Sequence, residues 1–179
     1  MIKKIRLAAI TVLLSITLTA CAAPGGTSPT LVLPWEDTGN TSVSITKEDV
    51  DDIKAADYDN DLDGLCAYLK DSYIVAGDPV EMSYAVIDAE GGYKYSFKYR
   101  SSELHIELYS FDLEELTQRA ETNLKSVRDT GKFTVLETEV SAVISDSGKY
   151  IMIYSDSSGS DENKAQEDRA VELFQGFYK

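Results

Sequence analysis

Gly91-Gly92-Tyr93-Lys94-Tyr95-Ser96-Phe97-Lys98-Tyr99-Arg100-Ser101-Ser102-Glu103-Leu104-His105-Ile106-Glu107-Leu108 is the stretch whose reading decides the fold. Tyr93, Tyr95, Phe97 and Tyr99 take every second position, with Lys94, Ser96, Lys98 and Arg100 between them. Leu104, Ile106 and Leu108 then alternate with Glu103, His105 and Glu107. Successive side chains on a strand point to opposite faces, so each run buries one side and wets the other. Gly91-Gly92 breaks the chain ahead of the first run, and Ser101-Ser102 is a turn between the two. That turn sets Arg100 opposite Glu103, Tyr99 opposite Leu104, Lys98 opposite His105 and Phe97 opposite Ile106, so that rings meet aliphatic chains and a base meets an acid.

Downstream, Asp112 caps a predicted helix whose Leu113, Leu116, Ala120, Leu124 and Val127 face inward, and Gly131 ends it. A second round follows. Phe133 and Val135 begin a strand, Val140, Ala142 and Ile144 make another, and Asp146-Ser147-Gly148 turns into the strand Tyr150 to Tyr154. A last helix carries Ala170, Val171, Leu173, Phe174 and Phe177. Upstream, Thr46 opens a short helix with Val50 and Ile53. A stronger one follows Asp59, with Leu62, Leu65, Cys66 and Leu69 on one face, and residues 79–88 read as a third helical piece behind Pro79. Hairpins followed by helices predict an α+β fold: an antiparallel sheet of four to five strands, helices packed mainly on one face in two layers, and N-terminal helices preceding two hairpin-plus-helix units.

The opposite end of the chain has a different grammar. Lys3, Lys4 and Arg6 precede an apolar run from Leu7 to Leu18 that ends in Leu18-Thr19-Ala20-Cys21. The run is too short for a spanning helix, which takes about 20 apolar residues, and it has the layout of a signal peptide. A branched apolar residue, two small residues and a cysteine resemble the lipobox of bacterial lipoproteins, and in general style the chain resembles small lipoproteins of Gram-positive bacteria. An ordinary secretory peptide cut at Ala20 or Ala23 would leave that four-position fit unexplained. The resemblance implies a signal peptide at 1–20, Cys21 as the first mature residue with a diacylglyceryl group (palmitate-type chains) on its thiol, and a location on the extracytoplasmic face of a cell membrane. Two acyl chains anchor durably at about 0.8 kcal/mol per buried methylene.

Residues 21–44 then form a linker, Pro- and Gly-rich at first and polar after Leu31-Val32-Leu33-Pro34-Trp35, and residues 45–179 form a single globular domain. A flexible coil of that length spans roughly 26 Å, beyond the ~8 Å over which charges act at physiological salt. Removing residues 1–20 takes away three bases and no acid, leaving 14 bases against 31 acids, a formal charge of −17. Such a chain is a poor partner for nucleic acid, whose phosphates require Lys and Arg patches, and a poor fit for an anionic leaflet. With Cys21 acylated, Cys66 has no disulfide partner, and the domain must be held by its own core.

Motifs that carry chemistry are few. Asp59, Asp61, Asp63 and Gly64 resemble the first, third, fifth and sixth positions of an EF-hand-type or dockerin-type calcium loop, but the twelfth position, where a bidentate carboxylate belongs, is Lys70. Capping of the following helix by these acids is the preferred reading. His105 is the sole histidine, which excludes multi-histidine zinc sites, and no GxSxG elbow accompanies it. Cys66 belongs to an apolar helix face, where a thiolate is disfavoured. The tyrosine stripe of the first strand suits a core better than a sugar- or peptide-docking surface. Poverty in groups that titrate near neutrality favours a non-catalytic binding or accessory module that meets an envelope protein or cell-surface ligand. The alternative is a small extracytoplasmic hydrolase using His105 or a carboxylate pair. The two are separated by whether His105 lies in a concave pocket or on an open sheet face.

Overall fold

The computed structural model describes residues 53–179, and the predicted helix at Thr46 lies outside them. The chain is α+β. A 3₁₀ turn (Ala55–Asp57) leads into α1 (Leu62–Asp71), β1 (Val80–Glu81), a second 3₁₀ turn (Tyr84–Ile87), β2 (Gly91–Tyr99) and β3 (Ser102–Ser110). Then come α2 (Gln118–Thr130), β4 (Lys132–Val135), β5 (Thr138–Ser141), β6 (Val143–Ile144), β7 (Tyr150–Asp156) and α3 (Asp161–Gly176). Five strands form one antiparallel sheet in the order β1-β2-β3-β7-β6, and β4 and β5 form a separate ribbon.

Two of the three helices lie on one face. There Leu65 and Leu69 of α1 and Ala170 and Phe174 of α3 pack with Tyr95, Leu104, Ile106, Leu108, Tyr150 and Met152. Phe177, fully buried, stacks edge-on against Tyr150 with ring centroids 5.7 Å apart. The third helix covers one end of the opposite face, where Ala120, Leu124 and Val127 of α2 meet Tyr109, Ile151, Ile153 and Phe133. This double cover explains why Tyr150-Ile151-Met152-Ile153 does not alternate: both faces of β7 are buried. On β2 and β3 the cover of the second face stops short, so Lys94, Ser96, Lys98, Glu103, His105 and Glu107 keep the alternating pattern.

The hairpin turns one residue earlier than the sequence suggests. Arg100 takes positive φ (54°), Tyr99 pairs with Ser102, and every partner moves by two: Lys98 faces Glu103, Phe97 faces Leu104, Ser96 faces His105 and Lys94 faces Glu107. A shift of two leaves each side chain on its face, so periodicity cannot tell the registers apart. Charge can. The expected register offers one base–acid pair. The observed one offers two, including Lys94 Nζ to Glu107 Oε1 at 3.1 Å.

Four other expectations are corrected. Residues 79–88 are helical only in the 3₁₀ turn; Val80 and Glu81 instead form an edge strand, opposite Lys94 and Tyr93, and Pro at a strand's entrance is as comfortable as at a helix's. Gly91-Gly92 does not break the chain but lies inside β2. A Cβ on Gly92 would stand 2.9 Å from Tyr109 Cδ1 and 3.0 Å from Tyr84 Cβ, so glycine here lets the 3₁₀ turn sit on the strand. Asp112 does not cap α2: its carboxylate accepts from the Glu114 N–H (2.9 Å) in a local turn, Leu113 is 48% exposed, and the helix begins at Gln118 behind Thr117. Finally, Val140 to Ile144 is not one strand. The chain changes sheets at Ala142, with Thr138–Ser141 on β4 and Val143–Ile144 on β7.

Candidate functional site

Among the described residues, open clefts walled by carboxylates mark the surface in three places. One, of 320 Å³, lies between the N-terminus of α1 and the start of β2, where Asp61, Asp63, Glu81 and Glu90 surround the glycine floor of Gly91 and Gly92. Lys149 lines one wall and is already engaged. Its amine donates to the Asn60 carbonyl at 2.6 Å and stands 5.4 Å from the Tyr150 ring centre. Tyr93 closes the opposite wall with its hydroxyl hydrogen-bonded to Asp63, which raises the phenol pKa. The cleft therefore presents net negative potential with few free donors. Glu81 and Glu90 escaped the sequence reading because only the fold brings them beside Asp61 and Asp63.

The Asp59-Asp61-Asp63 motif is a helix start. Asp61 is the N-cap of α1, its carboxylate accepting from the Gly64 N–H at 2.7 Å. Gly64 is required by close approach, since a Cβ there would fall 2.0 Å from the Asp59 carbonyl oxygen. Lys70, at the twelfth position, is on the helix and reaches Asp78 at 3.3 Å. Among the described residues no three His, Cys, Asp or Glu side chains form a group able to hold a metal ion.

His105 stands on the uncovered part of the sheet, half-buried in the middle strand β3, with Nδ1 2.9 Å from Ser96 Oγ across β2. It lines none of the three clefts. Glu107, two residues on along the same strand, is committed to Lys94 and to the Tyr109 hydroxyl at 3.0 Å. The histidine–serine contact lies on the part of the sheet that α2 leaves uncovered, apart from these clefts. Cys66 lies on the other side of the same sheet, 6% exposed in the α1 core. Burial pushes its thiol up to about 11, against an opposing hydrogen bond with Tyr95. The sheet itself thus separates the thiol from the imidazole, and the two cannot form a dyad.

The tyrosine stripe is likewise divided. Tyr95 and Tyr99 are buried in the core, while Tyr93 and Phe97 are only partly covered. The lipobox Leu18 to Cys21 lies outside the described residues, and among those described no helix is long and apolar enough to cross a membrane. No protein-family model matches the chain, and neither a curated protein nor a solved structure is significantly similar to it.

Proposed function

We propose that the chain is an extracytoplasmic lipoprotein, held to the membrane by acylated Cys21, whose domain acts by binding rather than by catalysis. The observation that carries the anchor is the Leu18-Thr19-Ala20-Cys21 sequence behind a basic, apolar leader. Support for binding comes from the placement of the histidine and the thiol. His105 is on an open face, and Cys66 is in the core with its thiol held protonated. A hydrolase built on His105 or on a thiol needs that nucleophile or base poised in a cleft. The acidic clefts and the −17 charge of the mature chain direct partner selection toward an envelope protein or surface ligand with basic or neutral groups, and away from nucleic acid.

The test is fractionation of cells that carry the Cys21→Ala protein. Wild type should sediment with membranes and the variant should appear in the soluble extracytoplasmic fraction. Equal membrane association of both proteins would contradict the anchor.

A further inference from the structure

One edge of the main sheet is left open over most of its length. In the order β1-β2-β3-β7-β6 the outer strand β1 has only two residues, which pair with Tyr93 and Lys94. β2 runs on to Tyr99, so from Tyr95 to Tyr99 it has β3 on one side and no strand among the described residues on the other. Along an antiparallel strand the main-chain groups of successive residues point by turns to the two neighbours. The Met82 N–H donates to the Gly92 carbonyl at 2.9 Å, which sets the even-numbered residues of β2 toward the β1 side. Ser96 and Lys98 therefore direct their N–H and C=O groups outward, where no described main-chain group meets them. Both residues are exposed.

The side chains along this edge decide what suits it. Residues 91–100 carry three bases, Lys94, Lys98 and Arg100, and no acid, in a chain of 31 acids and 17 bases. Lys94 is held by Glu107 at 3.1 Å. Lys98 lies opposite Glu103 in the β2–β3 register, yet neither it nor Arg100 comes within ion-pair distance of a described carboxylate; Arg100 acts on Glu162 from farther off. Two copies of the chain meeting along β2 would bring lysines toward lysines, an arrangement that cross-strand pairing disfavours. On the helix-covered side, Phe97 is only partly buried against the core. An added strand thus finds main-chain partners at Ser96 and Lys98, an apolar neighbour in Phe97 and an unpaired base on the other face.

We propose that the β2 edge from Tyr95 to Tyr99 binds an extended segment of a partner protein as an added antiparallel strand, one that alternates apolar residues with a carboxylate facing Lys98. The carboxylate is a local requirement, and the rest of the partner is free to meet the acidic clefts with basic groups. This deepens the binding reading and rests on it, while the anchor is tested separately by fractionation, whose result a failure here leaves standing.

The probe is a blocked heptapeptide, Thr-Val-Glu-Val-Glu-Val-Thr, set against its counterpart with lysines in place of the glutamates and titrated into the full chain purified in detergent. Saturable binding with Kd below about 1 mM is expected for the acidic peptide, and weaker binding for the lysine one. Amide exchange should be fast at Ser96 and Lys98 in the free protein and slowed by the acidic peptide. S96P removes an outward donor without touching the β2–β3 ladder and should weaken binding about fivefold. K98E, an exposed substitution that keeps the test open where S96P fails to fold, should abolish the preference for the acidic peptide. Absence of saturable binding, equal affinity for the two peptides, unchanged affinity in folded S96P or an unchanged preference in K98E overturns the proposal. So does protection of Ser96 and Lys98 before any peptide is added, since the chain itself would then cover the edge.

Discussion

Cys66 shows how a single side chain is fixed by its place in the packing. It shares the inward face of α1 with Leu65 and Leu69, and burial lifts its pKa from 9.0 to about 11. Below about pH 9 the thiol is protonated in both the folded and the unfolded chain. Between there and about 11 the unfolded chain releases the proton while the folded one retains it, so stability present at neutral pH is lost as pH rises through that window, on the order of 2–3 kcal/mol. Native protein at pH 8 should therefore resist thiol alkylation and react once unfolded in urea. Its unfolding free energy should fall from pH 9 to 11, and fall less steeply in Cys66→Ala. Rapid labelling of the native thiol would contradict this. The core role of Cys66 was legible from its leucine spacing. Gln166 is buried in phase with Asn163, Ala170 and Phe174, and apolar spacing alone passes over a polar residue of that kind.

At the scale of elements, helix α2 separates what sequence pattern determines from what local hydrogen bonding does. Its apolar phase, Ala120, Leu124 and Val127, and its end at Gly131 were readable directly. Its start was not, because Asp112 and Thr117 are both good caps and lie only five residues apart. Thr117 Oγ1 accepts from the Ala120 N–H at 3.1 Å and donates to Asp88 at 2.7 Å. Thr117→Ala should cost about 1–2 kcal/mol in urea unfolding, and Asp112→Ala less than about 0.5 kcal/mol, since its turn is exposed. Equal costs would place the helix start at Asp112 after all. The hairpin shows the same division. Faces follow from alternation, while register depends on which pairing gives Lys94 and Lys98 acidic partners, a choice that a pattern of period two leaves open.

At the scale of the whole molecule, one antiparallel sheet both organises the core and keeps the reactive groups apart, with Cys66 beneath it and His105 above. The fold class was legible because hairpins and amphipathic helices are local signals. The acidic cleft was not, because Asp61 and Glu90 meet only when α1 and β2 pack together. On the proposed reading, the acid-walled clefts and the lipobox-like N-terminal sequence belong to a module that meets a partner at the membrane surface. The membrane placement in that reading depends on the chain being anchored at Cys21. Mass spectrometry of the N-terminal peptide from membrane-purified protein tests this most directly. The account predicts a peptide beginning at Cys21 and heavier by a diacylglyceryl group. An unmodified peptide, whether it begins at Met1, Cys21 or Ala22, would contradict it.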